Sequence, residues 1–245
     1  MKVDPGRLKA DFLKRRRAVA EAARLSRLQP SLLQYDYLLL RYLSDNMSDL
    51  LHLIPNKLRS GLALDVGSGR APYAALLVER GLEVRSLDSD GTLRPHYVAD
   101  IEESGLPDNS FDVVLCTEVL EHCRRPWRAV QEVARILKPG GFAAFSAPHV
   151  WFYHPHPRDN FRFTAEGLSS LCEESHLEVV QILSAGGSAA CFCQIVNFLM
   201  FGVTGRLGAP LFLCVNLLGR LLDLIATNQL FCLNFCCLTR KPVGE

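Results

Sequence analysis

The stretch LALDVGSGRAPY, residues 62–73, constrains the fold of this chain more than any other part of the sequence. Leu62–Val66 is typical of a short buried strand that carries an acid near its end, and two glycines and a proline follow it directly. Gly67 and Gly69 permit a tight turn and the close approach of a ligand to the backbone. A buried strand that ends in such a turn before a helix is typical of a parallel α/β sheet.

Short apolar strands and helical segments alternate from Leu62 to Ala147. This alternation predicts a doubly wound sheet with helices on both faces. The predicted strands are Leu62–Val66, Glu83–Leu87, His96–Ala99, Phe111–Thr117, Phe142–Ser146, Leu177–Leu183 and Leu230–Thr239. The predicted helices between these strands are Pro72–Arg80, Trp127–Leu137 and Ala165–Ser175, the last capped by Thr164.

Four regions follow from this pattern. They are an N-terminal helical cap at 1–60, a core at 61–184, an apolar helical insertion at 185–229, and a last strand with a tail at 230–245. The cap contains predicted helices at 7–28 and 31–54, and the first of these carries eight arginines or lysines and two acids. Such a segment either solvates the surface of the fold or is attracted to an anionic membrane.

The composition excludes several classes of protein. The formal net charge of +1 provides no general field to attract nucleic acid, so we expect no nucleic-acid partner. The N-terminus lacks the apolar segment of a secretory signal peptide, and the nine cysteines include no CxxC pair. We therefore expect reduced, mostly buried thiols in a cytoplasmic protein without a zinc site.

Three acids close neighbouring predicted strands, where a doubly wound sheet binds its ligands. Asp65 ends the first strand, Asp88 the second and Asp100 the third. An acid at the position of Asp88 is suited to binding the two hydroxyls of a ribose. Pro72 stands where a dinucleotide-binding GxGxxG motif has its third glycine, so the pattern favours a nucleoside ligand without a pyrophosphate over NAD.

Taken together, the segments LDVGSGRAPY, SLDSD, ADIEESGLPDNSFDVVLCTEVLEH and EVARILKPGG resemble class I S-adenosylmethionine-dependent methyltransferases of the small-molecule, methyltransferase domain 11-like type. The resemblance covers roughly residues 60–183 and implies a Rossmann-like, seven-stranded α/β fold whose last strand is antiparallel and lies beside the fifth. It also implies S-adenosyl-L-methionine as the cofactor. The cofactor-binding residues that it implies are Asp65, Gly67, Ser68, Gly69, Asp88, Ser89, Asp100, Ile101, Cys116, Thr117 and Glu118.

One departure from the family pattern concerns Ala71, which stands where many members have a third glycine. A methyl group at this position is small. We therefore expect an altered fit to the cofactor rather than a loss of binding.

The segment after the fifth strand is rich in proline, histidine and aromatic residues, and the resemblance places the methyl acceptor beside it. The candidate bases are His149, His154, His156 and Asp159. Arg158 and Arg162 are suited to binding a carboxylate or phosphate, and Tyr153 is a further candidate contact. Glu121 and His122 could also face the cleft. Because the histidine spacing is irregular, we expect no metal.

The insertion at 185–229 is unusually apolar, and its stretch APLFLCVNLLGRLLDLIAT is apolar nearly all round, with Asn216, Arg220, Asp223 and Thr227 on one narrow stripe. We expect Arg206, Arg220 and Asp223 to interrupt every window long enough to span a membrane. The pattern is consistent with two interpretations of this insertion. It is either a helix buried against the core or an interfacial helix that faces lipid. The second suggests peripheral membrane contact and a hydrophobic or lipid-linked acceptor.

The sequence thus predicts a methyltransferase that acts on a small acceptor or on one linked to a lipid or glycan. One alternative is a non-catalytic, membrane-associated binding module that keeps the fold. A nucleotide-dependent oxidoreductase is the other, which Pro72 disfavours.

Overall fold

The computed structural model describes residues 27–58, 60–155, 157–225 and 231–243. The predicted basic helix at 7–28 lies almost entirely outside these ranges. The strands are β1 Leu62–Val66, β2 Glu83–Asp88, β3 Tyr97–Val98, β4 Phe111–Thr117, β5 Leu137–Pro148, β6 Glu178–Ser184 and β7 Asn234–Arg240. The α-helices are α1 Tyr37–His52, α2 Ala74–Glu79, α3 Pro126–Ile136, α4 Ala165–Glu174, α5 Ser188–Thr204 and α6 Ala209–Ile225.

The strands form one seven-stranded sheet in the order β3-β2-β1-β4-β5-β7-β6. β7 is antiparallel to both of its neighbours, and the pairs among β1 to β5 are parallel. The predicted α/β doubly wound fold, with an antiparallel last strand beside the fifth, is confirmed. Strand order reverses between β1 and β4, so the carboxyl ends of these strands form the crevice in which such folds bind ligands.

Two apolar layers cover the faces of the sheet, because alternate residues of a strand point to opposite sides. On β4, Val114 packs in the cluster that contains residues of α3 and α4. Its neighbours Val113 and Leu115 pack in the second cluster, with residues of α1 and α2.

The helix predicted at 31–54 is shorter than expected and begins at Tyr37. Residues 31–36 instead form turns, in which the Gln34 N–H donates to the Ser31 carbonyl and the Gln34 side chain accepts from the Ser31 N–H. This local bonding competes with the helix that the leucine pattern favours. The cap predicted for α4 is confirmed, since the Thr164 hydroxyl accepts a hydrogen bond from Gly167 N.

The insertion folds as a helical hairpin. α5 and α6 pack side by side, and a short 3-10 turn at Gly205–Gly208 joins them. By length and composition, Ser188–Ile225 is apolar enough to cross a membrane. The expectation that charges interrupt every window is wrong, because residues 185–205 contain no charged side chain. The chain nevertheless turns back at Gly205–Gly208, so the structure shows two helices of 17 residues each.

Candidate active site

The bend after β1 depends on two glycines for different reasons. Both have positive φ, 60° at Gly67 and 50° at Gly69, where a side chain strains the backbone. A Cβ at Gly67 would overlap Cγ2 of Val119. A Cβ at Gly69 would meet no atom nearer than the Gly67 carbonyl oxygen, at 4.0 Å. Packing therefore requires the first glycine, whereas the second leaves open space at the bend.

Ala71 occupies the left-handed region, with φ of 52°. For a residue with a Cβ this conformation costs about 1–2 kcal/mol, which glycine avoids. Alanine in place of the family's glycine therefore strains the backbone of the bend.

We expect Ala71→Gly to raise the free energy of unfolding by about 0.5–1 kcal/mol, because relief of the strain exceeds the added entropy of the unfolded chain. Urea unfolding measures this change. Ala75→Gly in α2 is the matched control and should lower the same quantity, since it places glycine in a helix. A loss of stability in Ala71→Gly would contradict the strain.

Two of the three acids that the sequence predicts at strand ends line the same cleft. Asp88 closes β2, and its carboxylate accepts hydrogen bonds from Gly69 N at 2.7 Å and Asp90 N at 2.9 Å. Asp100 follows β3, and its carboxylate accepts from Glu102 N at 2.9 Å. Because both carboxylates are only partly engaged by backbone amides, they keep lone pairs for a ligand.

A cleft of about 470 Å³ lies along the carboxyl edge of the sheet. It joins the acids of β2 and β3 to the turn after β4 and to the loop after β5, and its size falls within the range of small-molecule sites. Its lining residues are Val66, Gly67, Leu87, Asp88, Ser89, Asp90, Leu93, Ala99, Asp100, Ile101, Glu102, Glu118, Val119, His122, Cys123, Pro157 and Arg158.

Some residues implied by the family resemblance lie behind the cleft rather than on its wall. Asp65 and Ser68 are buried at the bend, beneath the surface that a ligand would contact. Cys116 is buried in the apolar core, where burial raises the pKa of its thiol well above the usual range. Thr117 ends β4 and is half-buried. These four residues support the wall, and Glu118 is the first residue after β4 to line it.

Glu118 is held rigidly at the end of β4. Its backbone has a positive φ of 55°, and its carboxylate accepts hydrogen bonds from Ser146 Oγ at 2.7 Å and from Asn234 Nδ2 at 2.7 and 2.8 Å. Ser146 and Asn234 are fully buried. The carboxylate thus ties β4 to β5 and β7 at the edge of the cleft.

Asp159, predicted as a base, forms an ion pair with Arg162 instead. Both terminal nitrogens of Arg162 bond its carboxylate, one of them at 2.8 Å, and His154 N donates to it at 2.9 Å. The Arg162 hydrogen bonds hold the pKa of the Asp159 carboxyl far below its usual range. Arg162 also bonds the carbonyls of Trp151 and Phe152. This pair therefore shapes the loop, and neither side chain lines the cleft.

We expect Asp159→Asn to lower the free energy of unfolding by about 1.5–3 kcal/mol at neutral pH, because it weakens charged hydrogen bonds. The pKa is depressed in the folded state. The Asp159 carboxylate therefore makes its full contribution to the free energy of unfolding above the unfolded carboxyl pKa, about 3.9. This contribution is lost as the pH falls towards the folded pKa.

Urea unfolding across this pH range tests the prediction, and the gap between the two proteins should close in acid. Asp108→Asn is the control, since Asp108 pairs with Arg135 but is exposed, which makes its loss worth under about 1 kcal/mol. Equal losses at neutral pH would contradict a special role for Asp159.

The other predicted loop residues are dispersed. His149 Nδ1 bonds the Phe163 carbonyl at 2.8 Å, and its ring packs against Phe235 away from the cleft. His154 is half-buried beside the cleft, Tyr153 is 76% exposed, and His156 lies outside the described residues.

A cluster of acidic and histidine side chains forms around Glu121, for which the sequence made no firm prediction. This side chain is fully buried, and neither carboxylate oxygen has a hydrogen-bond partner among the described residues. Burial, reinforced by the neighbouring Glu118, raises the pKa of Glu121 well above the usual range. Ligand-type atoms of Glu121, His122 and His154 all lie within 4.8 Å of one another.

These three side chains could transfer a proton. They could also bind a divalent cation, which the irregular histidine spacing had not predicted. The three residues meet because the loop after β5 folds over the turn after β4. Asn160 N donates to the Glu121 carbonyl at 2.8 Å, and His122 Nδ1 bonds the Arg158 carbonyl.

Comparison with known proteins adds to this geometry. A family model described as a methyltransferase domain matches residues 64–145. An uncharacterized methyltransferase of Mycobacterium tuberculosis is 43% identical over 88 residues, which are 32% of this chain and 36% of that protein. The chain spans between 22% and 41% of the length of the first curated relatives that it matches.

Solved structures share the fold. The 1,6-didemethyltoxoflavin-N1-methyltransferase of Burkholderia thailandensis, with bound 1,6-didemethyltoxoflavin and S-adenosylhomocysteine, is 14% identical, with a TM-score of 0.55 over 99% of this chain and 92% of that one. The cyclase SpnF is 19% identical, with a TM-score of 0.54 over 82% of each chain. At these identities the likeness establishes the fold alone. With the family match and the predicted motifs in place, residues 64–145 form a methyltransferase domain of the class I S-adenosylmethionine-dependent family.

Proposed function

We propose that this protein transfers a methyl group from S-adenosyl-L-methionine to a small acceptor, or to one linked to a lipid or glycan. The observation that carries the proposal is that one cleft of about 470 Å³ holds both sets of residues. Its walls combine Asp88 and Asp100, which suit an adenosyl group, with His122 and Arg158, which suit an acceptor. A cofactor and an acceptor bound in one cleft have the proximity that methyl transfer requires.

The residues of the bend fit the cofactor. The space beside Gly69 lets a ligand approach the backbone, and the Asp88 carboxylate would accept hydrogen bonds from the two ribose hydroxyls. Asp100 and Ile101 would hold the adenine. When bound, the cofactor supplies a methyl group that is already activated by its sulfonium, so the chain's own task is largely orientation.

The acceptor side offers a base and a cation. Nδ1 of His122 bonds the Arg158 carbonyl and so carries the proton, which leaves Nε2 as an acceptor beside the cleft. Nε2 could then take a proton from an acceptor hydroxyl or amine. The Arg158 side chain makes no ion pair with a residue in the described ranges, and it would bind a carboxylate or phosphate of the acceptor.

Calorimetry with S-adenosylmethionine, S-adenosylhomocysteine and NAD tests this function against its alternatives. We expect the first two to bind at one site per chain and NAD not to bind. Binding of NAD alone would favour the oxidoreductase. A folded protein that binds none of the three would favour the non-catalytic module and contradict the proposal.

A further inference from the structure

We propose that the apolar hairpin, residues 188–225, lies in the surface of an anionic lipid bilayer. The hairpin has its polarity reversed relative to a helix pair of a water-soluble protein, in which polar side chains face solvent. Its buried face combines apolar side chains with four polar ones, Gln194, Asn197, Asn216 and Asp223, whereas its outer face is apolar. This inference stands apart from the proposed function, and only its consequence for the acceptor rests on that function.

Four polar side chains of the hairpin, Gln194, Asn197, Asn216 and Asp223, are buried. Asn197 Nδ2 donates to Asn216 Oδ1 at 2.7 Å between the two helices, and both residues are fully buried. The buried Asp223 carboxylate accepts hydrogen bonds from Gly187 N at 2.7 Å and Ala190 N at 3.0 Å, across the base of the hairpin. Asn216 and Asp223 of the polar stripe thus hold the two helices together.

Further polar contacts attach the hairpin to the rest of the fold. Gln194 is fully buried, accepts from Leu39 N at 3.3 Å and donates to the Tyr35 carbonyl at 2.7 Å. Asn216 Nδ2 donates to the carbonyls of Leu32 and Gln34. The inner face is therefore fixed against the N-terminal end of α1, and a partner would bind the outer face.

The outer face is large and apolar. Within 188–225, every exposed residue other than Arg206 and Arg220 has a side chain without charge or hydrogen-bonding oxygen or nitrogen. Val203 is 88% exposed and Leu207 is 91% exposed, both near the turn. The further exposed large side chains are Phe192, Leu199, Leu211, Leu217, Leu218, Leu221, Leu222, Leu224 and Ile225. An apolar surface of this extent on one pair of helices marks an interaction site.

The charge of the hairpin and of the sequence segment before it favours lipid as the occupant of this face. Arg206 and Arg220 are the two exposed charges of the hairpin, and both are positive. The basic segment 7–28, with eight arginines or lysines and two acids, ends just before the residues that bond Asn216. Anionic headgroups complement this charge. A second copy of the chain would instead bring the same positive charge against it.

The hairpin also contacts the loop that borders the cleft. Phe198 of α5 stacks on Phe152 with ring centroids 3.8 Å apart. Trp151 packs edge-on against the Phe198 ring, with centroids 6.0 Å apart. A bilayer beneath the hairpin would therefore lie close to the loop that carries Arg158. Together with the proposed function, this favours an acceptor that is presented from the membrane, with an anionic group for Arg158.

Co-sedimentation of the full chain with vesicles tests the inference. We expect binding to vesicles of phosphatidylcholine mixed with phosphatidylglycerol, weaker binding to phosphatidylcholine alone, and release by salt. Val203→Glu should weaken binding about tenfold or more, because burial of one such side chain contributes that much. Val78→Glu is the matched control on α2, where Val78 is 58% exposed, and it should bind like the unaltered protein.

The basic segment supplies a second variant. Replacing Arg15, Arg16 and Arg17 by glutamine should remove about fivefold in affinity for each arginine, and only with anionic vesicles. Absence of vesicle binding, or equal binding by Val203→Glu, would overturn the inference. So would a dimer in sedimentation equilibrium that Val203→Glu dissociates, because a second copy would then cover the face. S-adenosylhomocysteine calorimetry on the same samples separates these failures from a failure of the proposed function.

Discussion

Replacing Asp88 by alanine is expected to weaken S-adenosylhomocysteine binding by about 1–3 kcal/mol, or about 5- to 150-fold in Kd. The side chain closes β2 and lines the cleft beside the glycine bend. It offers carboxylate oxygens where a ribose would present two hydroxyls. Its removal leaves those hydroxyls without their charged acceptor, which is the costly kind of hydrogen bond to lose.

Two variants sharpen this measurement. Asp88→Asn keeps the shape and one carbonyl oxygen, so its loss in calorimetry should lie between that of Asp88→Ala and zero. Asp90 lines the same cleft from the turn after β2 and not from the strand end beside the glycine bend, so Asp90→Ala should change the affinity little. An unchanged Kd for Asp88→Ala, or a larger loss for Asp90→Ala, would show that the ribose binds elsewhere.

Gly67→Ala is expected to lower the free energy of unfolding by about 2–5 kcal/mol, as two costs coincide at this position. The left-handed backbone strains any residue with a Cβ, and that Cβ would overlap Cγ2 of Val119. Gly69→Ala should cost only about 1–2 kcal/mol, because it has the strain without the overlap.

Urea unfolding of a double-mutant cycle separates the two costs. Combining Gly67→Ala with Val119→Ala removes the overlap, so the double variant should lose less than the sum of the single losses. Strict additivity, or equal losses at Gly67 and Gly69, would contradict the packing argument.

The parts of the fold that the sequence predicts are those set by local pattern. The apolar runs at 62–66 and 111–117 identify central strands, because a parallel sheet buries both faces of a strand. The glycine bend and the acid of Asp88 lie at strand ends, and in this fold strand ends share one edge. The acids of the cleft were therefore predictable from their places along the chain.

The acceptor side was harder to predict because its contacts join distant segments. Asp159 and Arg162 lie three residues apart, yet nothing in that spacing distinguishes a catalytic base from an ion pair that shapes a loop. His122 and His154 meet only because one loop folds over another turn. The cluster around Glu121 thus arises from tertiary packing and carries no local signal.

The orientation of the hairpin's polar residues was also not predictable from the local sequence. The polar stripe from Asn216 to Asp223 was visible in the sequence, but its direction was not. A stripe facing solvent and a stripe facing another helix have the same period. In the structure, Asn197 of the other helix donates a hydrogen bond to Asn216, so Asn216 faces that helix and not solvent.

The fold alone does not settle the chemistry, since the cyclase SpnF shares it, and activity has to be argued from the site. A crystal structure of this protein with S-adenosylhomocysteine tests the central claim most directly. We predict that the ribose hydroxyls lie within hydrogen-bond distance of the Asp88 carboxylate, with the adenine beside Asp100 and Ile101. A ligand bound outside this cleft, or one whose ribose leaves Asp88 untouched, would contradict the account.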